Sequence, residues 1–313
     1  MFRRLVFNFG VEYGWSVRNQ QACDEWIRDL EIVNADGVLE AIKSSKQRVA
    51  GTCRWHKQRD EYRDWLLGDK PKRLWISGDD GTGKTTTLTA IIDELQHVSD
   101  NDPSVIVLFF FFDSKIDRQA SAVSAALSLV GQLLKERPQL FQHVPHLSRN
   151  DLSSLPTLWG CLAKMIRLLK EKVYILLDAV DECCTSPESN IFAHLNDEAS
   201  PLAAKILVSC RPEITKPQCY IGLHIRPDDI RDDILKVIDA RLKELDNYQL
   251  DLWKEIKAIL SRGTHCTFSR VIFLIEYLKT EQPDRFLDGE GNIPVTEDHL
   301  WEMVGKQASM APF

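Results

Sequence analysis

Eight consecutive residues, Gly78-Asp79-Asp80-Gly81-Thr82-Gly83-Lys84-Thr85, place glycines at the first, fourth and sixth positions and close on a lysine and a threonine. The spacing G-x-x-x-x-G-K-[ST] is that of a phosphate-binding P-loop. Glycines here let successive backbone N–H groups turn inward around an anion, and a helix that follows aims its positive end at the same point. Lys84 is a flexible point charge that reaches β and γ phosphates, and the Thr85 hydroxyl suits one position on Mg²⁺. A glycine-rich turn without function would match the same letters, so the flanking elements matter. Gly78 to Thr86, including Asp79, Asp80 and Thr82, are the candidate nucleotide-binding residues.

A second group is acidic. The apolar stretch Val173-Tyr174-Ile175-Leu176-Leu177 runs into Asp178-Ala179-Val180-Asp181-Glu182, the arrangement of a Walker B segment. Asp178 is the candidate second Mg²⁺ ligand beside Thr85, and a further carboxylate would orient or deprotonate water. Glu182 is the first choice for that base, with Asp181 close behind. A third candidate is Arg211, which follows the apolar run Lys205 to Cys210. Its fixed charge and forked donors suit a γ phosphate.

Such residues act together only if strands deliver them to one edge. Arg73 to Ser77 reads as a buried strand before the P-loop, and Thr86 to Leu95 has apolar residues at helical spacing after it. Val105 to Phe112 is a run of eight apolar residues after a polar loop at 99–104, suited to a strand covered on both faces. Helical patterns follow over Ala120–Glu136 and Pro156–Lys170, then strands at Val173–Leu177 and Lys205–Cys210. This alternation predicts a layered α/β domain with a parallel sheet. Upstream, residues 18–50 predict two helices interrupted near Asn34-Ala35-Asp36-Gly37, and Trp55 to Leu67 predicts one helix ending at Gly68. Downstream, helical patterns over 228–245, 250–260 and 267–279 form an appendage, and the tail after Glu281 has a weak helical signal around Leu300–Val304.

A chain of 313 residues with 44% hydrophobic content can bury a substantial core, with two domains as the prior. A net charge of -7 argues against a nucleic-acid binder that relies on a broad basic face, and leaves room for a small local basic patch. The eight cysteines show no metal-binding spacing and read as free thiols of a reducing compartment; adjacent Cys183 and Cys184 follow acidic residues, the wrong setting for a reactive thiolate. The N-terminus lacks the apolar length of a signal sequence, and no apolar run reaches a membrane span. A cytoplasmic protein without membrane or nucleic-acid partners is expected.

Together these residues resemble the NACHT module of the signal-transduction (STAND) ATPases, in the version common in large fungal receptor-like proteins. The resemblance is carried by Gly51-Thr52-Cys53-Arg54-Trp55, the P-loop, Phe110-Phe111-Phe112-Asp113, Asp178 to Cys183 and Ser209-Cys210-Arg211-Pro212-Glu213. Thr267-Phe268-Ser269-Arg270-Val271 is faintly similar to a helical-region segment of the family. The resemblance implies a five-stranded parallel sheet of order 5-1-4-3-2 with helices on both faces. It implies an N-terminal lead-in over 1–50, a NACHT domain over 51–226, a helical subdomain over 227–280 and a tail over 281–313. Family members act as ATP/ADP switches that hydrolyse slowly and form nucleotide-dependent homo-oligomers, and the resemblance alone favours ATP over GTP. No effector domain is evident before residue 36 and no repeats after 280, and His299 takes no assigned role. A truncated gene, a stand-alone module, and a domain working with effector or repeat partners in trans all stay open. A module that binds nucleotide without turnover is the alternative to a weak ATPase, and a small-molecule kinase is disfavoured because no arginine-rich lid follows the core.

Overall fold

The computed structural model describes residues 17–30, 32–68, 72–144, 151–183, 191–196, 202–242, 257–258 and 267–280. Five strands form one parallel sheet: β1 (Arg73–Ser77), β2 (Val105–Phe111), β3 (Lys172–Asp178), β4 (Lys205–Cys210) and β5 (Tyr220–His224). Their spatial order is β2-β3-β4-β1-β5, which is the expected 5-1-4-3-2 read from the other edge. β5 has no counterpart in the residue-level reading. Its sequence Tyr-Ile-Gly-Leu-His is short and fully buried only at Tyr220 and Leu223, as befits an edge strand, so it lacks the continuous apolar signal of its neighbours.

Because side chains alternate along a strand, each strand feeds two cores. Ile106, Leu108, Phe110, Val173, Ile175, Leu177, Ile206 and Val208 face the first core. There they meet α1 (Val17–Asp29), α5 (Ala122–Glu136), α6 (Leu155–Arg167) and α7 (Ile191–Leu195). Leu74, Ile76, Phe109, Phe111, Leu176 and Leu207 face the second. That face is covered by α2 (Ala35–Ser45), α3 (Asp60–Leu67), α4 (Lys84–Asn101), α8 (Pro227–Leu242) and α9 (Phe268–Thr280). Double coverage explains why β2 is apolar at nearly every position. β2 is nevertheless an edge strand, and α5 blunts that edge: Gln132 accepts from the Phe109 N–H at 3.0 Å and donates to the Phe109 carbonyl at 2.8 Å.

Several predicted boundaries move for identifiable reasons. α4 extends through the expected loop at 99–101, with Asn101 donating to the His97 carbonyl and Ser99 to that of Val105. The single helix expected over Trp55–Leu67 breaks at Arg59. A 3₁₀ turn at Trp55–Gln58 precedes α3, and Arg59 is extended with its guanidinium held by Glu61 and Asp229. The upstream break falls just before Asn34, whose side chain caps α2, so Ala35 to Gly37 are its first turn. Apart from helical 257–258, the expected helix over 250–260 and the tail with His299 lie outside the described residues.

Lys205, only 3% exposed, enters β4 with its ammonium on the carbonyls of Trp65 (2.8 Å) and Leu66 (2.7 Å) at the end of α3. Lys205→Met should lower unfolding stability by about 2 kcal/mol, because two charge-assisted bonds to helix-end carbonyls are lost. Chemical denaturation read by circular dichroism checks this.

Candidate functional site

The strand order places β4 between β1 and β3, pairing Ser77 with Cys210 and Leu177 with Val208. The carboxyl ends of these strands therefore open on one edge, where ligands bind in parallel α/β sheets. A cavity of about 420 Å³ lies there. The P-loop residues Asp80, Gly81 and Gly83 to Thr86 line it, as do Asp178, Asp181, Glu182 and Arg211.

The loop itself is built from backbone constraints. Gly81 and Gly83 adopt φ +77° and +86°, left-handed values that glycine takes without cost. Gly78 was expected to serve the same freedom but has no positive φ; it is needed for space, since a Cβ there would lie 2.8 Å from Thr82 Oγ1 and 3.1 Å from Ile225. Thr82 donates through its hydroxyl to the Asp79 carbonyl at 2.8 Å. Lys84 Nζ spans the loop to the carbonyls of Gly78 at 2.5 Å and Asp79 at 3.1 Å. Thus Gly78, Asp79 and Thr82 frame the loop, while Lys84 and Thr85 face the cavity.

Asp178 ends β3 almost wholly buried. Burial raises its pKa, opposed by hydrogen bonds from the Ser209 and Thr85 hydroxyls and by the charges of Lys46 and Lys84. Ser209, which has no expected role from its sequence pattern, joins the candidate site. Its hydroxyl donates to Asp178 Oδ1 and accepts from the Ala179 N–H at 2.9 Å. It thereby holds Ala179 in the left-handed region, φ 51°. A hydroxyl in an otherwise apolar strand was the available signal. The small side chain at 179 reduces the cost of that conformation and turns the following residues toward the cavity.

The two remaining carboxylates have different surroundings. Asp181 accepts from the Arg211 backbone N–H at 3.2 Å and pairs with Arg211 Nε at 3.3 Å. Glu182 instead accepts from the Ser114 N–H at 3.1 Å, beyond the end of β2. Arg211 also reaches Asp80 of the P-loop at 3.5 Å. Next to it Cys210 is buried, which with the Asp181 charge pushes its thiol up to about 12, so it is not a nucleophile at neutral pH; Cys183 is buried too.

Two further parts of the lining were not expected. α9 starts against the P-loop: the Phe268 N–H donates to the Gly81 carbonyl at 2.9 Å. A Cβ on Gly81 would lie 1.8 Å from Ser269 Oγ, and one on Gly83 3.1 Å from the Phe268 ring. The segment after α2, with Val49, Thr52 and Cys53, joins Val237 and Arg241 of α8 in the lining.

The family profile described as nephrocystin 3, N-terminal, matches residues 51–211, half of the chain. The chain belongs to this family. Vegetative incompatibility protein HET-E-1 of Podospora anserina is 30% identical over 243 residues, covering 71% of this chain and 17% of that protein. The module is thus of the NACHT type found in fungal NLR-like proteins, and it spans under a fifth of that relative. Among solved structures, the Aeropyrum pernix ORC2 protein in ADPNP–ADP complexes aligns at TM-score 0.45 and 12% identity over 90% of this chain and 70% of its own. The Aeropyrum pernix ORC1 protein in complex with DNA aligns at 0.44 and 15%, over 80% and 64%. These are distant overall likenesses, and the site of the NACHT module is read from its own residues. Among the described residues, no helix is long and apolar enough to cross a membrane.

Asp178 supplies a prediction. Its pKa is higher in the folded than in the unfolded chain, so the native state gains stability as pH falls through that interval and loses it as pH rises. Above the unfolded pKa, burying this group costs stability. Asp178→Asn should therefore raise the melting temperature of the nucleotide-free protein at pH 7 and have little effect at pH 4, measured by calorimetry. Gly81→Ala, strained in dihedral and in collision with Ser269, should lower it at both.

Proposed function

We propose that this NACHT module is a Mg²⁺-dependent ATP/ADP-binding switch with slow ATP hydrolysis. The observation that carries the reading is the gathering of Lys84, Thr85, Asp178, Glu182 and Arg211 on one cavity. Residues 51–226 form the nucleotide-binding core in this reading, with 1–50 as a lead-in, 227–280 as the helical subdomain and 281–313 as a tail.

The residues fit a hard divalent cation. Asp178 is a buried carboxylate contacted by two hydroxyls, and Mg²⁺ favours such oxygen donors in company with phosphate oxygens and water. Among the described residues there is no cluster of three or more His, Cys, Asp or Glu side chains able to hold a metal, so Thr85 and Asp178 would hold the ion together with the nucleotide. Mg²⁺ held there would supply positive charge to neutralise what develops on phosphate oxygens. Lys84 exchanges its two loop carbonyls for β and γ phosphate oxygens, and the Gly81 and Gly83 region supplies backbone donors. Glu182, held through one oxygen by Ser114, keeps the other to orient a water and take its proton. Asp181 is committed to Arg211, which favours Glu182 over Asp181 as the base. Arg211 then senses a γ phosphate through a guanidinium that Asp181 has already oriented.

ATP/ADP state would be read by α9, which rests directly on the two left-handed glycines of the P-loop. Nucleotide-dependent assembly with like modules, coupling to effector or repeat domains, signal transduction and a cytoplasmic setting follow from the NACHT type and are part of the proposal. With a net charge of -7, nucleotide rather than nucleic acid is the proposed ligand.

Lys84→Ala should abolish ATP binding in titration calorimetry; unchanged affinity would overturn the reading. Glu182→Gln should bind ATP within about threefold of wild type yet lose at least about tenfold in single-turnover phosphate release, because it touches water and not the cradle. Binding without any release from wild type would leave a nucleotide-holding module and no ATPase.

A further inference from the structure

Two described non-glycine residues have positive φ, and both line the cavity: Ala179, discussed above, and Cys53 at φ 58°. Left-handed backbone is unfavourable for a residue with a Cβ and persists only where the surroundings fix it. At Cys53 the fixing groups come from α8. Its N–H donates to Asp233 Oδ2 at 2.7 Å, and Asp233 is itself only 5% exposed. The other carboxylate oxygen pairs with Lys236 at 3.3 Å, and Lys236 donates in turn to the Gly51 carbonyl at 3.0 Å. One turn of α8 thus grips both ends of Gly51-Thr52-Cys53.

The gripped segment is itself a tight turn. Thr52 donates to the Val49 carbonyl through its N–H at 3.2 Å and its hydroxyl at 2.7 Å. Gly51, at φ 83°, takes the third position of that turn, where glycine is required. The buried Cys53 side chain is hydrogen-bonded by Thr87 of the P-loop helix, and burial with the Asp233 charge keeps it a thiol. Asp229 anchors the start of the same helix to Arg59 at 2.7 Å. Asp233, Val237 and Arg241 follow at intervals of four and share one helical face, so the helix that holds the turn also contributes Val237 and Arg241 to the lining.

This part of the cavity differs from the phosphate side. Beside the cations Arg48 and Arg241, the side chains of Val49, Cys53, Val237 and Ile272 line it, an apolar surface suited to the flat face of a nucleobase. We propose that Asp233 is a positioning residue for nucleotide recognition: by accepting from the Cys53 N–H it holds the 49–53 turn in the strained form that makes the base-side wall. It touches no part of the nucleotide. The proposal rests on the nucleotide-binding reading above and adds that α8 sets how well the base, as opposed to the phosphates, is held.

The test is calorimetric titration of the full chain with Mg-ATP and, separately, with Mg-tripolyphosphate, which lacks a base. Asp233→Ala should weaken ATP by about tenfold, the scale of one lost charge-assisted buried hydrogen bond, and leave tripolyphosphate within about twofold. Asp233→Asn keeps an acceptor oxygen and should retain most of the ATP affinity. Adding Cys53→Gly to Asp233→Ala should recover part of the loss, because glycine takes the left-handed form freely. Equal weakening of ATP and tripolyphosphate would mark Asp233 as a general stabiliser and overturn the proposal, as would unchanged ATP affinity in Asp233→Ala. Should that variant fail to fold, Lys236→Met replaces it, with ATP weaker, tripolyphosphate unchanged, and no difference between the two counting against the proposal. Wild-type protein that binds neither ligand would overturn the nucleotide reading and this proposal with it, a result distinct from any of the variant outcomes.

Discussion

The parallel arrangement of β1, β4 and β3 is the constraint on which the rest depends. Parallel strands whose two faces are both covered by helices release their side chains to solvent only at their ends. At the carboxyl edge the P-loop, the Asp178 turn and the Arg211 segment emerge within two strand spacings of one another. β4 is the link, for it pairs with both others and contributes Ser209, the hydroxyl that bonds Asp178 and the Ala179 N–H together.

That edge concentrates unfavourable elements that the surrounding fold sustains. A buried carboxylate with a raised pKa, a left-handed alanine and a left-handed cysteine all face one cavity. Each is held by a specific neighbour from a different part of the chain: Ser209 for Asp178 and Ala179, Asp233 for Cys53. Strain and buried charge collected at a single concave site, over-determined by packing elsewhere, are what a binding site looks like in energetic terms. The packing is supplied by the sheet's two cores, whose apolar residues alternate along every strand.

Charge pairs divide the acidic candidates as well. Asp181 and Glu182 are adjacent in sequence and chemically alike, yet one is bound to Arg211 and the other to a backbone N–H at Ser114. Only the relative placement of β4 and the segment beyond β2 separates them. Arg211 likewise acquires meaning from its partners Asp181 and Asp80, which tie the end of β4 to the P-loop.

The sequence by itself determined the phosphate loop, four of the five strands, the alternation of strand and helix, and the acidic turn after β3, because each is a local pattern of glycine spacing or apolar periodicity. It missed β5, whose five residues carry little apolar signal at a sheet edge, and it merged the Trp55–Gln58 turn with α3 because the break at Arg59 comes from an ion pair to Asp229, 170 residues away. The tertiary structure alone decided that Ser209 serves Asp178, that α9 rests on Gly81 and Gly83, and that Asp233 reaches back to Cys53 across 180 residues. Local periodicity records which face of an element is buried. Which buried groups then meet is set by the packing of elements distant in sequence, and no local pattern encodes it.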